Sequence, residues 1–329
     1  MAAGVIAAVV VAALGLPGIL SGQPSAPARQ QTTRALERPF SPTSFWNTPL
    51  AAGAPLDPNS SALVTSLAAQ ERAWGAWINT TSYSTPVYVV PANQGGVRVQ
   101  IDHTPSPNVE ALQQEMEKVP IPAGAKPATG TDSRMVIWQP STNTMWEFWQ
   151  ARYESLWFPR GWHASWGAKI TGVSQVSGVN PAPFGATASG LALAGGLITL
   201  EDMQRGSIDH VLALGVPRTL AGVFVAPANR TDGRFTGPYA IPEGTRFRLD
   251  PKLDVDSLGL SPVATMIARA AQRYGMVVRD GSELVTFYGE DPTPTGSNPW
   301  PGWFGGKSPG DALAGFPWDR LQALPPVAG

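Results

Sequence analysis

The sequence predicts a mainly β protein: a single antiparallel β-sandwich, jelly-roll-like, with one covering helix. Three observations predict it. Roughly ten short β-prone stretches are separated by turn residues, and Gly and Pro number 35 and 33. Only one segment, Val263–Tyr274, carries strong helical spacing behind a start signal. No repeat and no linker-like composition interrupts the chain after residue 40, and 329 residues suffice for one large core.

The chain begins with an almost wholly apolar run, Ala2–Leu20, followed by the small-residue pattern Ala26-x-Ala28. This predicts a signal peptide or N-terminal anchor over 1–28 and an exported protein. No Lys or Arg precedes the run, so retention as an anchor stays open beside cleavage. Residues 29–39 read as a disordered linker, and 40–329 as one β-rich domain. Cysteine is absent, which removes a lipobox, disulfides, a thiolate nucleophile and Cys-zinc sites.

Within the domain, Asp57–Ser60 offers cap chemistry for a helix ending near Arg72. Pro86–Val90 and Gly96–His103 alternate as strands, and Asn108–Lys118 reads as a short acidic helix. Met135–Gln139 and Thr144–Arg152 form an expected hairpin around Pro140-Ser141-Thr142-Asn143. Trp166–Thr171 is a further strand, and Val179–Gly196 is a passage of small residues that lets backbones approach. Thr199 caps a short helix over Leu200–Arg205, with Gly206 as its stop. Ile208–Val216, Val223–Val225 and Thr245–Leu249 read as strands. Ser261 and Pro262 start the strong helix and Gly275 ends it. Met276–Arg279 and Glu283–Tyr288 are expected to pair across Asp280-Gly281 as a hairpin. The tail is a Pro/Gly/Trp loop.

The formal charge is −1 and charged residues make up 14%. No basic run exceeds two residues, which argues against nucleic acid as a partner. Membrane contact is expected only through an uncleaved N-terminus. The expected partner is a polysaccharide or cell-wall glycan, because of one stretch. Arg134–Lys169 holds six of the twelve tryptophans. Alternation puts Met145, Glu147 and Trp149 on one strand face, a carboxylate beside flat rings. Saccharide clefts pair aromatic planes with acids in this way; core packing around a paired glutamate is the plain alternative.

Glycoside hydrolysis needs two carboxyls across the scissile bond. Glu147 is the first catalytic candidate, since aromatic neighbours would desolvate it. Asp102 and Asp132 are candidate partners, and His163 and His210 candidates to hold acid or substrate. Glu201 and Asp202 also come into view, but acids in a first helical turn usually just satisfy the dipole. Arg134, Trp146, Trp149, Trp162, Trp166 and Gln100 are the expected substrate-binding residues. A non-catalytic glycan-binding protein and a polysaccharide lyase are the alternatives, the lyase using His163 or Tyr153 as base and Arg134 or Arg152 as neutraliser. No cofactor is implied. His103, His163 and His210 lack ligand spacing, and Asp250–Asp256 does not follow the calcium-loop pattern, so no metal site is expected.

The segments SPTSFWNTPL, Asp132-x-Arg134-Met135, WEFW, GWHASWGAKI, GATASGLAL, GSIDHVLAL, EGTRFRL and QRYGMVVRD occur as a set over about residues 40–290. As a set they resemble an uncharacterised family of exported, actinobacterial-type β-rich proteins. Members vary WEFW toward Tyr-Glu-Leu and keep the acid. The resemblance implies export and a β-rich fold, and it attaches no activity.

Overall fold

A computed structural model describes residues 36, 38–156 and 159–327. The expected signal or anchor over 1–28 lies outside the described residues, as does most of the expected linker. Leu36, inside that linker, is buried with Phe40, so packing begins ahead of the predicted boundary.

The described chain is mixed and sheet-rich, with sixteen strands and five helices. Helix α1 (Ser60–Trp74) leads into β1 (Ala76–Asn79), β2 (Thr85–Val89) and β3 (Val99–Ile101). Helix α2 (Pro107–Glu115) precedes β4 (Met135–Gln139), β5 (Thr144–Trp149), β6 (Arg152–Glu154), β7 (Gly161–Ala164) and β8 (Trp166–Thr171). Helix α3 (Leu200–Arg205) is followed by β9 (Leu212–Val216), β10 (Thr219–Phe224), β11 (Ile241–Glu243) and β12 (Arg246–Leu249). Helix α4 (Pro262–Arg273) then gives β13 (Met276–Gly281), β14 (Val285–Tyr288) and β15 (Glu290–Asp291). Helix α5 (Trp300–Trp303) and β16 (Leu321–Leu324) close the chain.

Several starts and stops follow from local chemistry. Ser261 Oγ accepts from the Ala264 amide and opens α4, with Pro262 at the first helical position where no amide partner is needed. Thr199 and Asp202 form a reciprocal capping box on α3, and Gly206, with φ +79°, stops it. β4 and β5 pair antiparallel around the Pro140–Thr142 turn, as expected. The second strand is shorter than predicted, because Gln150 takes φ +55° and breaks it.

The six-stranded sheet has the order β1-β14-β9-β13-β12-β16, and the five-stranded sheet β15-β2-β4-β5-β8. Smaller sheets are β10-β11 and β3-β7-β6. One buried cluster joins Val87, Val136 and Met145 of the five-stranded sheet to Ala213, Val277 and Tyr288 of the six-stranded sheet, with Leu191–Leu197 between them. A second cluster packs the six-stranded sheet against α1, α3, α4 and α5. Val263 and Ile267 of α4 are fully buried there, each worth about 1.5–3 kcal/mol. A third packs Ile137, Trp146 and Phe148 against α2, β3 and β7.

Two expectations are corrected. The large sheets are mixed rather than antiparallel, since β1/β14, β9/β13 and β2/β4 run parallel; the strand order gives the jelly-roll expectation no support. The Asp280-Gly281 hairpin is absent as well. β9 lies between β13 and β14, and the register slips between Val278 and Asp280. The fully buried run of β9 takes the central position that a tight turn would have given to β14.

Candidate functional site

Two hollows, of about 740 and 520 Å³, meet where Asp132, Arg134, Arg234 and Gly281 line both. The larger continues past Trp77, Tyr83 and Tyr288, the smaller past Trp149, Trp166 and His103. A third hollow of about 430 Å³ shares His103 and is lined by Gln100. The first two together form a cleft with aromatic residues on either side of a charged waist.

The waist is assembled from both large sheets. Asp132 precedes β4, and its backbone carbonyl accepts from the Gln150 amide, which ties this loop to the end of β5. Trp149 Nε1 donates to Asp132 Oδ1 at 3.2 Å. Arg134 Nη2 reaches Asp132 Oδ2 at 2.9 Å and Asp280 Oδ2 at 2.5 Å. Asp280 comes from the irregular end of β13 and Tyr288 from the end of β14. The guanidinium carbons of Arg134 and Arg279 lie 5.4 and 4.1 Å from the Tyr288 ring centroid, within cation–π range.

These groups are buried to different degrees, and their protonation follows. Burial pushes the Asp280 carboxyl up, and Arg134 and Arg279 pull it back only part of the way. Burial alone would lower Arg134, but Asp280, Tyr288 and Asp132 hold its guanidinium charged. Burial, joined by Asp280, raises the Tyr288 hydroxyl. Asp132 is the more open acid, with 28% of its side chain exposed against 9% for Asp280.

Glu147 is not in the cleft, which corrects the first sequence candidate. It is fully buried. Its Oε1 accepts from Asn180 Nδ2 at 2.8 Å and the Ala186 amide at 2.9 Å, and Oε2 from the Leu193 amide at 2.8 Å. Burial raises its carboxyl; the two backbone bonds, Arg279 and Asn180 offset part of that rise. From the other side Arg230 donates to the carbonyls of Phe184, Gly185, Thr187 and Ala188. A buried anion holding amides and a guanidinium holding carbonyls fix the 180–193 passage, whose residues Gly185–Ala188 wall the smaller hollow. Gly185 is required there: its φ is +114°, and a Cβ would lie 2.8 Å from Asn180 Nδ2.

The other expected residues divide. Asp132, Arg134, Trp149 and Trp166 line the cleft, and Gln100 lines the adjoining hollow. Trp146 is a core residue whose Nε1 donates to the Glu115 carbonyl. Trp162 packs edge-on to Tyr153, 5.6 Å between centroids, outside the hollows. Asp102 is held by Arg152 at 2.6 Å and by His163 Nδ1 at 2.9 Å, while His163 Nε2 faces the Pro159 carbonyl at 2.8 Å. His210 is buried against Asp202, 3.1 Å from Nε2 to the carboxylate. These side chains complete local structure, and the fold does not bring Asp102, His163 or His210 to the cleft. Among the described residues no cluster of three His, Asp or Glu is arranged to hold a metal, and no helix is long and apolar enough to cross a membrane.

Asp280, Tyr288, Arg234, Trp77 and Tyr83 were missed. The usable signal was Arg279-Asp280 directly behind the apolar Met276–Val278, since two charges at the end of a buried strand need partners. The Asp-Gly turn rule masked it. No family model, curated protein or solved structure matches the chain.

Proposed function

We propose that this protein is a carbohydrate-active enzyme, exported by its apolar N-terminal run, which hydrolyses a polysaccharide at the waist of the cleft. One observation carries the reading. Asp132 and Asp280 converge on the same Arg134 nitrogen between two aromatic-walled hollows. Their facing oxygens are at most about 5.4 Å apart, the contacts of 2.5 and 2.9 Å laid end to end. That bound is shorter than the roughly 6.5–9.5 Å of inverting glycosidases and leaves the closer spacing of those that act through a covalent intermediate. Asp280, raised by burial, is the proton donor to the leaving oxygen. Asp132, fixed by Trp149 and Arg134, is the carboxylate that attacks the anomeric carbon. Attack breaks the glycosidic bond as Asp280 gives up its proton. Water then displaces Asp132, with Asp280 taking the proton back. Trp149 and Trp166 on one side, and Trp77 and Tyr83 on the other, supply stacking faces.

A lyase is the second reading, because Arg134 lies over the Tyr288 ring at the waist and elimination from a uronate uses an arginine and a base. The raised Tyr288 hydroxyl is a poor base, which places elimination second. The test is incubation of the full chain with arrayed neutral and acidic polysaccharides. New reducing ends, lost in Asp132→Asn while polymer binding persists, are the expected result. Unsaturated products absorbing in the ultraviolet would replace hydrolysis by elimination. Binding with no product from any polymer would leave a non-catalytic glycan-binding protein and refute cleavage.

A further inference from the structure

The waist is not at the end of the cleft. Asp132 and Arg134 line both the 740 and the 520 Å³ hollow, so space borders these residues on two sides. Each volume lies in the range of a small-ligand site, about 300–1,000 Å³. Each also presents indole or phenol rings, Trp77 and Tyr83 in one, Trp149 and Trp166 in the other. Trp166 is braced for such a role. Its Nε1 donates to the Pro183 carbonyl at 2.9 Å, and its ring stacks on Phe184 with an interplanar angle of 11°. The third hollow adjoins the same side at His103. An enzyme that trims chain ends needs a stop just past the scissile bond, and here an aromatic-lined hollow lies on each side of the acids.

We propose that the cleft takes the interior of a polysaccharide, with sugar units seated on both sides of the cleaved bond, so that the protein cuts within chains. This rests on the cleavage reading above and adds where along the polymer the cut falls. Binding energy from units far from the reacting bond orients that bond against the acids, so short fragments that fill only one hollow are poor substrates.

The test uses the full chain on high-molecular-mass β-glucan, xylan, mannan and polygalacturonate. Mean polymer mass is followed by size-exclusion chromatography with light scattering, against the number of new chain ends. Internal cutting halves the mean mass once about one bond per chain is broken, and yields a ladder of fragments. A single mono- or disaccharide accumulating beside a polymer peak of nearly constant mass overturns the proposal while leaving cleavage standing. No new ends from any polymer overturns cleavage and this proposal together. Trp77→Ala and Trp166→Ala provide a second arm. Each should lower kcat/KM on the polymer several-fold and shift the fragment ladder. Loss in Trp166→Ala with no change in Trp77→Ala means that only one side is occupied, and overturns the proposal.

Discussion

Replacing Glu147 by Gln separates a structural carboxylate from a catalytic one. In the native chain Oε1 receives two donors and Oε2 one. Gln keeps an acceptor at the Oε1 position and puts an NH₂ opposite the Leu193 amide, so two donors face each other at 2.8 Å. An orphaned buried donor costs about 1–3 kcal/mol. The lost attraction to the buried Arg279 adds to this, and relief from burying a carboxylate subtracts. The net is about 2 kcal/mol, or a Tm lower by roughly 3 °C for a domain of this size. Glu147→Ala orphans all three donors and leaves a cavity, for a loss of about 4 kcal/mol or more. Its wall segment over 180–193 should exchange amide protons faster and be cut sooner by proteases. Differential scanning fluorimetry and cleavage per folded molecule check both variants. A Gln variant that melts with the parent yet forms no product would refute the structural assignment and return Glu147 to the chemistry.

Other groups yield predictions of different kinds. Glu243 is fully buried; burial first, then Asp280, pushes it up to about 8, against the pull of Thr231 and the Asp232 backbone. Its contribution to stability is full below the ordinary 4.5 and is lost as pH rises toward about 8. Glu243→Gln should therefore gain on the parent in Tm between pH 5 and pH 8, and parallel curves would sink this. For His210, burial lowers the imidazole, but the Asp202 charge wins and holds it above 6.5; burial likewise raises Asp202, and His210 overrides it downward. The His210 share is present below 6.5 and lost as pH rises through its raised value; the Asp202 share is present above 3.8 and lost as pH falls through its lowered one. The stability gap between parent and His210→Gln should thus narrow on the alkaline side, and a gap that is constant from pH 5 to pH 9 excludes the ion pair. Finally, the close approach of Asp132 and Asp280 predicts products with retained anomeric configuration, read by proton NMR early in the reaction; inverted products would remove this pair as the catalytic acids.

What the sequence made legible is what short-range chemistry determines. Ser261-Pro262, the Thr199 cap and the Pro140–Asn143 turn each set an element within a few residues of themselves. The legible half of the waist is of the same kind. Asp132 and Arg134 directly precede one hairpin, Trp149 ends it, and Trp166 opens the strand paired to it. The other half depends on which strand enters the six-stranded sheet beside which. Asp280-Gly281 has strong turn chemistry, yet the apolar Leu212–Val216 run gains more by lying between β13 and β14 than the hairpin would. Nothing within a few residues of Asp280 encodes that competition.

Glu147 shows how the remaining error arose. The two-residue period placed it on the same face as Met145, as alternation requires. It did not say what that face meets. The answer is the glycine- and alanine-rich passage after Asn180, whose amides point inward because small side chains let its backbone fold down onto the sheet. Backbone donors turned into a core need an acceptor, and a carboxylate on the facing strand supplies one. The passage therefore seals Glu147 in as an anchor, while the more open acid, Asp132, sits two residues before Arg134 and accepts from the Trp149 indole N–H. Strand alternation marks which side chains share a face; whether that face is sealed in the core, as for Glu147, or borders open space, as for Asp132, separates an anchoring acid from one that can meet a ligand.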